Sequence, residues 1–334
     1  GFRGRTTTCN IGISDGIAPS ARSPRDGLMA LLERLGLVFF LIAIVGLFSV
    51  VSPHFLAYQN VANIFVQSTP TLLTAVGMTV VIATAGIDLS VGSVMALSSI
   101  LAALAMKAQW PMASGIAISL LLGIAMGFVN GLGVTGLRVS PFIVTLGTAG
   151  IYRALALILT DARPIYGLPL GFRTLAMGQI GPLPLSVVLA LLTVLVVYLI
   201  TCWTCFGAHA RAVGDNSQAA YRMGVPVKAT LLWTYGLSGA TSALAGLVIV
   251  ARLNTAEAIA GLGIELEAIA AVVMGGTSFF GGEARISGTL LGALIIGTLV
   301  NGLTLLNVPS YYQQLVTGLV FILAVVADRI RRGL

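Results

Sequence analysis

The chain contains about ten apolar runs of roughly 20 residues, and this pattern constrains its fold more than any other feature. A helix needs about 20 apolar residues to cross a bilayer, whereas a membrane β-strand needs about 10 that alternate in polarity. Hydrophobic residues make up 57% of the 334 residues and charged residues only 9%. Soluble domains carry about 25% charged residues. The sequence therefore predicts an all-α, polytopic membrane protein.

The predicted membrane spans follow one another with mostly short connections. They cover residues 35–52, 61–85, 88–106, 112–134, 141–160, 185–203, 229–251, 263–280, 287–306 and 311–327. Residues 1–30 are polar and lack the apolar core of a signal peptide, so we expect a disordered tail there. Residues 31–334 are expected to form a single transmembrane domain.

Basic residues predict the orientation, because cytoplasmic loops carry an excess of Lys and Arg. With the N-terminus inside, 13 of the 18 Lys and Arg residues lie in cytoplasmic segments. Four lie outside, namely Lys107, Arg163, Arg173 and Arg252, and Arg153 lies within a span. Ten spans then place both termini in the cytoplasm. The same clustering at loops and ends explains the net charge of +7 without a nucleic-acid partner.

A polar island, residues 207–228, interrupts the apolar sequence between the sixth and seventh spans. It is longer than a connection between two spans needs to be. Gly214 and Gly224 lie ten residues apart in it, which suits a short helix with a glycine at each end. Two interpretations remain open: a solvated loop, or a helix that docks a soluble cytoplasmic partner.

Polar side chains inside the spans require a structural or functional explanation, because inserting an ionised residue at mid-membrane costs about 2.5–3.5 kcal/mol of free energy. Asp88 lies between glycines and is expected to cap the third span or to border a transport path. Acids at the start of the eighth span, Glu265 and Glu267, are favoured there by the helix dipole. Asn130 and Asn301 each occur in a Val-Asn-Gly-Leu string and are expected to join helices. The candidates for the translocation path are Asp88, Ser90, Asn130, Glu267 and Asn301.

The sequence shows no catalytic constellation and no phosphate-binding loop. His54 and His209 are the two histidines, and the predicted topology places them on opposite sides of the membrane. No cofactor or metal is expected on this chain. A transport protein of this kind would depend on another subunit for its energy.

Several motifs together resemble the permease subunits of bacterial ABC importers for monosaccharides, of the ribose type. They are Gly86–Gly92, Pro141–Gly147, Arg211–Asn216 with Ala219-Ala220 and Gly224-Val225, Glu265–Gly282, and Ser310–Gln314. The resemblance covers about residues 35–332, so residues 31–334 would be the permease domain. The sequence departs from the family pattern at Ala284 and Ala154, where the family commonly has glycine.

This resemblance implies that the polar island is a coupling helix seated on a cytoplasmic ATPase with two nucleotide modules, which would bind ATP-Mg. The implied coupling residues are Arg211, Gly214, Asp215, Asn216, Ala219, Ala220, Gly224 and Val225. It also implies a second permease copy or a sister permease, and a periplasmic binding protein that delivers a monosaccharide across the bacterial inner membrane.

Three other classes of membrane protein remain as alternatives. A branched-chain amino-acid permease has a similar loop, although Gly86–Ser90 and Ser310–Gln314 favour a sugar. An ion-coupled secondary transporter predicts several intramembrane carboxylates, and only Asp88 and Glu267 qualify. A membrane-embedded enzyme requires a catalytic cluster that the sequence lacks.

Overall fold

The computed structural model describes residues 24–137 and 139–331. Helices dominate this part of the chain, and they are α1 (Pro24–Val51), α2 (Tyr58–Ala83), α3 (Val91–Lys107), α4 (Met112–Leu137), α5 (Pro141–Thr160), α6 (Thr174–Met177), α7 (Leu185–Trp203), α8 (Cys205–Arg222), α9 (Val227–Leu253), α10 (Ile264–Met274), α11 (Ile286–Leu305) and α12 (Ser310–Arg331). A 3₁₀ turn covers Leu170–Arg173. The strands are two residues long: β1 (Ile165–Tyr166), β2 (Gln179–Ile180), β3 (Leu183–Pro184) and β4 (Thr255–Ala256).

Each predicted span overlaps one of these helices, which confirms the all-α membrane class. Six helices, α2, α4, α5, α7, α9 and α11, are long and apolar enough to cross a bilayer. Shorter apolar helical stretches cover Leu35–Val51, Val91–Lys107 and Ser310–Val326. The count of ten spans and the cytoplasmic termini stay predictions.

The eighth predicted span, residues 263–280, is shorter in the structure than the hydropathy pattern suggests. Its helix, α10, contains only 11 residues, and at 1.5 Å per residue it is about 16 Å long, half of the ~30 Å hydrocarbon core. The glycine-rich string after Met274 ends it, since Gly276 takes a φ of +82° that the helix cannot accommodate.

Parts of the predicted tail and of the charge pattern lie outside the described residues. These are residues 1–23, Arg138 and residues 332–334. Helix α1 already begins at Pro24, within the segment 1–30 that the sequence assigns to a tail. Disorder of the tail stays a prediction.

The core of the bundle is formed by α2 and α9, which pack against each other and carry many small or apolar buried residues. Glycines bring α4 and α9 together: a Cβ at Gly127 would lie 2.1 Å from the Tyr235 carbonyl oxygen. Such close approach is typical of membrane helices. Helices α4, α5 and α7 leave large apolar side chains exposed, as Leu121, Ile158 and Leu192 illustrate, and lipid suits those faces.

Candidate functional site

The polar island forms two helical segments instead of one. Helix α8 is interrupted at Asn216, whose φ of −156° and ψ of 101° are extended. The first segment runs to Asp215 and the second covers residues 217–222. The expectation of a single helix with a glycine at each end is therefore wrong for Gly214, which lies inside the first segment. Gly224 does follow the end of the second.

The second segment is held at both ends by its own sequence. The Asn216 Oδ1 accepts hydrogen bonds from the N–H groups of Gln218 (3.1 Å) and Ala219 (2.9 Å), which is N-capping. At the other end Gly224, with φ +85°, donates to the Tyr221 carbonyl, and the next amide closes a Schellman motif on Ala220. A helix this short is unstable alone, so these caps are needed to fix it.

The second segment presents an exposed face. Tyr221 is 74% exposed and Met223 85% exposed. Ala219 is exposed while Ala220 is buried, so the two adjacent alanines do not share one face. A groove beside the segment is lined by Ser217, Gln218, Tyr221, Arg222, Val225 and Lys228, among others.

The first segment of α8 is fixed to the bundle through backbone contacts. The Arg211 Nη1 donates to the Thr201 carbonyl of α7 at 2.9 Å. A Cβ at Gly214 would lie 1.9 Å from the Ala83 oxygen and 2.7 Å from the Gly282 nitrogen. The Gly282 N–H itself donates to that Ala83 oxygen at 3.0 Å. We call Ala83, Gly214 and Gly282 the backbone junction, because it joins the end of α2, α8 and the α10–α11 loop.

Three of the path candidates, Asp88, Ser90 and Asn130, form one buried polar cluster. The Asp88 Oδ1 accepts from the Ser90 N–H (3.0 Å) and Ser90 hydroxyl (2.6 Å), and its Oδ2 accepts from the Ser238 hydroxyl (2.8 Å). The Asn130 amide donates to the Ser90 oxygen at 2.7 Å. The Thr148 hydroxyl donates to the Asn130 oxygen at 2.7 Å. The cluster joins α3, α4, α5 and α9.

In this cluster Asp88 is only 1% exposed, so it makes protein contacts on all sides. It does not cap α3 directly, because the residue before that helix is Ser90 and Asp88 bonds to the Ser90 backbone. Sequence reasoning missed Ser238 and Thr148, which lie on other helices. A signal for each was a row of polar residues at helical spacing, with Thr145, Thr148 and Tyr152 on α5 and Thr234, Ser238 and Thr241 on α9.

In the described part of the chain, Glu267 and Asn301 share no hydrogen bond with this cluster or with each other, and both bond to α2, at Thr71 and Gln67. The Glu267 Oε2 accepts from the Thr71 hydroxyl at 2.9 Å, linking α10 to α2 beside Pro70. The Asn301 Oδ1 accepts from the Asn60 amide at 3.0 Å, and its own amide donates to Gln67 at 3.3 Å. The five path candidates thus form three separate hydrogen-bonded groups, and their assignment to a translocation path stays a prediction.

The chain was compared with known protein families and proteins. Residues 60–325 match the family described as branched-chain amino acid transport system / permease component. The D-allose transport system permease protein of Escherichia coli (strain K12) is 40% identical over 300 residues, 89% of this chain and 92% of that protein.

Two further relatives cover similar shares. The ribose import permease protein of Bacillus subtilis (strain 168) is 42% identical over 306 residues, 91% of this chain and 94% of that protein. The autoinducer 2 import system permease protein of Yersinia pseudotuberculosis is 34% identical over 291 residues, 86% and 83% of the two chains. No solved structure gives a match. The matches span most of the helical bundle and the polar island, and the chain therefore belongs to the branched-chain amino acid transport system / permease component family.

Proposed function

We propose that this chain is the membrane-spanning permease subunit of an ATP-driven ABC importer that moves a monosaccharide, ribose-like, across the bacterial inner membrane. The observation that carries the proposal is the identity of 40–42% to the D-allose and ribose permeases over about nine-tenths of the chain. The family description names branched-chain amino acids, but the relatives that we compare are named for D-allose, ribose and autoinducer 2.

The second segment of α8 is the proposed docking surface for the ATPase. It is a short helix with caps at both ends, and it exposes Tyr221 and Met223. Exposed apolar side chains beside polar ones suit a protein interface. The permease subunit itself would carry no ATPase site, and ATP-Mg would bind to the two nucleotide modules of the partner.

The other partners belong to the same proposal. A second copy of this chain or a sister permease would complete the path, with both termini in the cytoplasm. A periplasmic sugar-binding protein would dock on the opposite side of the membrane from the ATPase. Selection of the sugar would then rest mostly with the binding protein.

Affinity isolation of the chain from its native membrane tests the class, with the associated proteins identified by mass. We expect an ATPase with two nucleotide modules and a periplasmic binding protein. Recovery of the chain alone, under conditions that keep a control importer intact, would instead favour an ion-coupled transporter. The recovered binding protein is then screened with D-ribose and D-allose, and with L-leucine as the amino-acid competitor.

A point variant tests the docking surface more sharply than a deletion, because deletion of residues 211–225 also removes Gly214 from the backbone junction. Met223→Glu places a charge on the exposed face, whereas Met177→Glu makes the same change at an exposed methionine of α6. We expect the first variant to lose the ATPase on isolation and the second to keep it. Equal recovery of the ATPase with both variants would refute this docking surface.

A further inference from the structure

The segment before α10, residues 254–263, is non-helical over most of its length, and α10 itself is too short to cross a bilayer. After β4 it continues through turns, with Gly263 at φ +87° immediately before the helix. Because α10 is long enough for only about half of the hydrocarbon core, the eighth predicted span would be completed by irregular backbone before α10, after it, or on both sides. Irregular backbone at membrane depth persists only where protein groups or enclosed water satisfy its carbonyl and amide groups.

Two carbonyl groups of this segment are satisfied by Arg153 of α5. Its Nη1 donates to the Ala258 oxygen and, at 2.9 Å, to the Ala260 oxygen. Arg153 lies seven residues before Thr160, about 10 Å inside the end of α5. An arginine at that depth is costly unless its donors are used. Its bonds to two carbonyls on a neighbouring element use both N–H groups of Nη1 and give each of those carbonyls a donor.

The bonded carbonyls lie directly before the place where α10 meets α3. The Gly261 carbonyl packs against α3, and a Cβ at Gly92 would lie 2.2 Å from its oxygen. Gly92 is in the first turn of α3, four residues after Asp88. Glu265 and Glu267 follow in the first turn of α10. A displacement of residues 258–260 would therefore move the starts of both helices relative to α5.

Helix α5 is otherwise connected to the bundle by a few polar bonds. The Thr145 hydroxyl donates to the Ile87 carbonyl at 3.2 Å, and the Tyr152 hydroxyl donates to the Met126 carbonyl at 3.1 Å. Much of its remaining surface is exposed and apolar, as at Ile143 and Ile151. Arg153 donates side-chain hydrogen bonds from α5 to the segment that leads into α10, and the pairing of β1 with β4 holds the start of the same segment.

We propose that Arg153 is a positioning residue for translocation, which holds residues 258–260 against α5 and thereby fixes the start of α10 during the transport cycle. The expected effect on transport rests on the proposed function, but the hydrogen bonds from Arg153 to residues 258–260 do not depend on which substrate is carried. Arginine is suited to it because its Nη1 carries two N–H groups in a fixed planar geometry, one for each carbonyl oxygen. Lysine at the same position would reach them through a single ammonium group.

The test compares Arg153→Gln and Arg153→Lys with Arg173→Gln, which removes an exposed arginine from the connection between α5 and α7. Hydrogen exchange is measured by mass spectrometry on the full complex in lipid discs, together with ATP-driven uptake of D-ribose. In Arg153→Gln we expect the amides of residues 254–263 to exchange at least about tenfold faster, because loss of even one of the two hydrogen bonds to the charged donor costs about 1.5 kcal/mol or more. Other helices should keep their exchange rates.

Uptake separates a positioning role from a general loss of stability. We expect Arg153→Gln to lower the maximal uptake about tenfold, with the half-saturating sugar concentration unchanged. Arg153→Lys should restore part of the amide protection and part of the uptake. Arg173→Gln should match the unmodified protein in both measurements. Unchanged exchange in residues 254–263, or faster exchange with normal uptake, would overturn the proposal. If the unmodified complex takes up no D-ribose, the proposed substrate fails while the exchange result still decides whether Arg153 holds the segment.

Discussion

Substitution of Gly214 by alanine is the most direct test of the backbone junction. The added Cβ would lie 1.9 Å from the Ala83 oxygen and 2.7 Å from the Gly282 nitrogen, whereas Cβ contacts below 3.0 Å essentially do not occur. Since 3.0 minus 1.9 is 1.1 Å, α8 or the end of α2 must move by about 1 Å. Both obstructing atoms belong to backbone, so no side-chain rotation relieves the clash.

Two unfavourable contributions and one favourable contribution determine how far Gly214→Ala changes the free energy of unfolding. Overpacking of a well-filled site costs about 1–3 kcal/mol, and loss of the hydrogen bond from Gly282 to Ala83 costs about 0.5–1.5 kcal/mol. Alanine within a helix gains about 1 kcal/mol over glycine. The free energy of unfolding of Gly214→Ala should therefore fall by about 0.5–3.5 kcal/mol.

The matched control is Gly147→Ala in α5, where a Cβ would meet no atom within 4 Å. It should be neutral or stabilising by up to about 1 kcal/mol, because only the helix propensity changes. Denaturant unfolding in detergent gives both values. Sugar uptake per ATP hydrolysed should fall in Gly214→Ala while the ATPase stays bound, because the exposed face at Met223 is untouched. Equal stability of the two variants with normal coupling would refute the reasoning.

Three further substitutions test the island and the buried cluster. Asp88→Asn replaces one acceptor oxygen by a donor beside the Ser90 and Ser238 hydroxyls, so uptake should fall with insertion retained; unchanged uptake at normal abundance would leave Asp88 a replaceable structural group. Asn216→Ala removes the N-cap at a cost of about 1 kcal/mol and should raise amide exchange in residues 217–222, whereas Ser217→Ala should not. Gly224→Ala strains a residue at φ +85° and should destabilise the same segment by about 1 kcal/mol, measured by the same exchange; unchanged exchange would contradict the capping argument.

Hydropathy was sufficient to locate the helices, because the requirement for about 20 apolar residues acts on each segment alone. It failed for α10, since the residues that follow Met274 are still apolar or small while their glycines leave the helical region. Hydropathy measures the cost of transfer into lipid and does not report φ. Hydropathy missed the break at Asn216 for the same reason, although Asn is a favoured N-cap and stands two and three residues before the amides that it caps.

The buried cluster shows a different limit. A carboxylate in an apolar chain marks a site that needs partners, so Asp88 could be selected from the sequence. Its partner Ser238 lies 150 residues away, and a serine in a span carries no sign of which helix it faces. Arg153 could be recognised as unusual for the same reason as Asp88. Its two acceptors are backbone carbonyls, which every residue has, so the sequence could not name them.

The backbone junction has a mechanical consequence. At Ala83, Gly214 and Gly282 three segments touch through main-chain atoms alone. Side-chain contacts can absorb a displacement by changing rotamer, whereas main-chain atoms already at their closest separation have no such compliance. A displacement of the exposed face of α8 would therefore move the end of α2 and the α10–α11 loop by a similar distance.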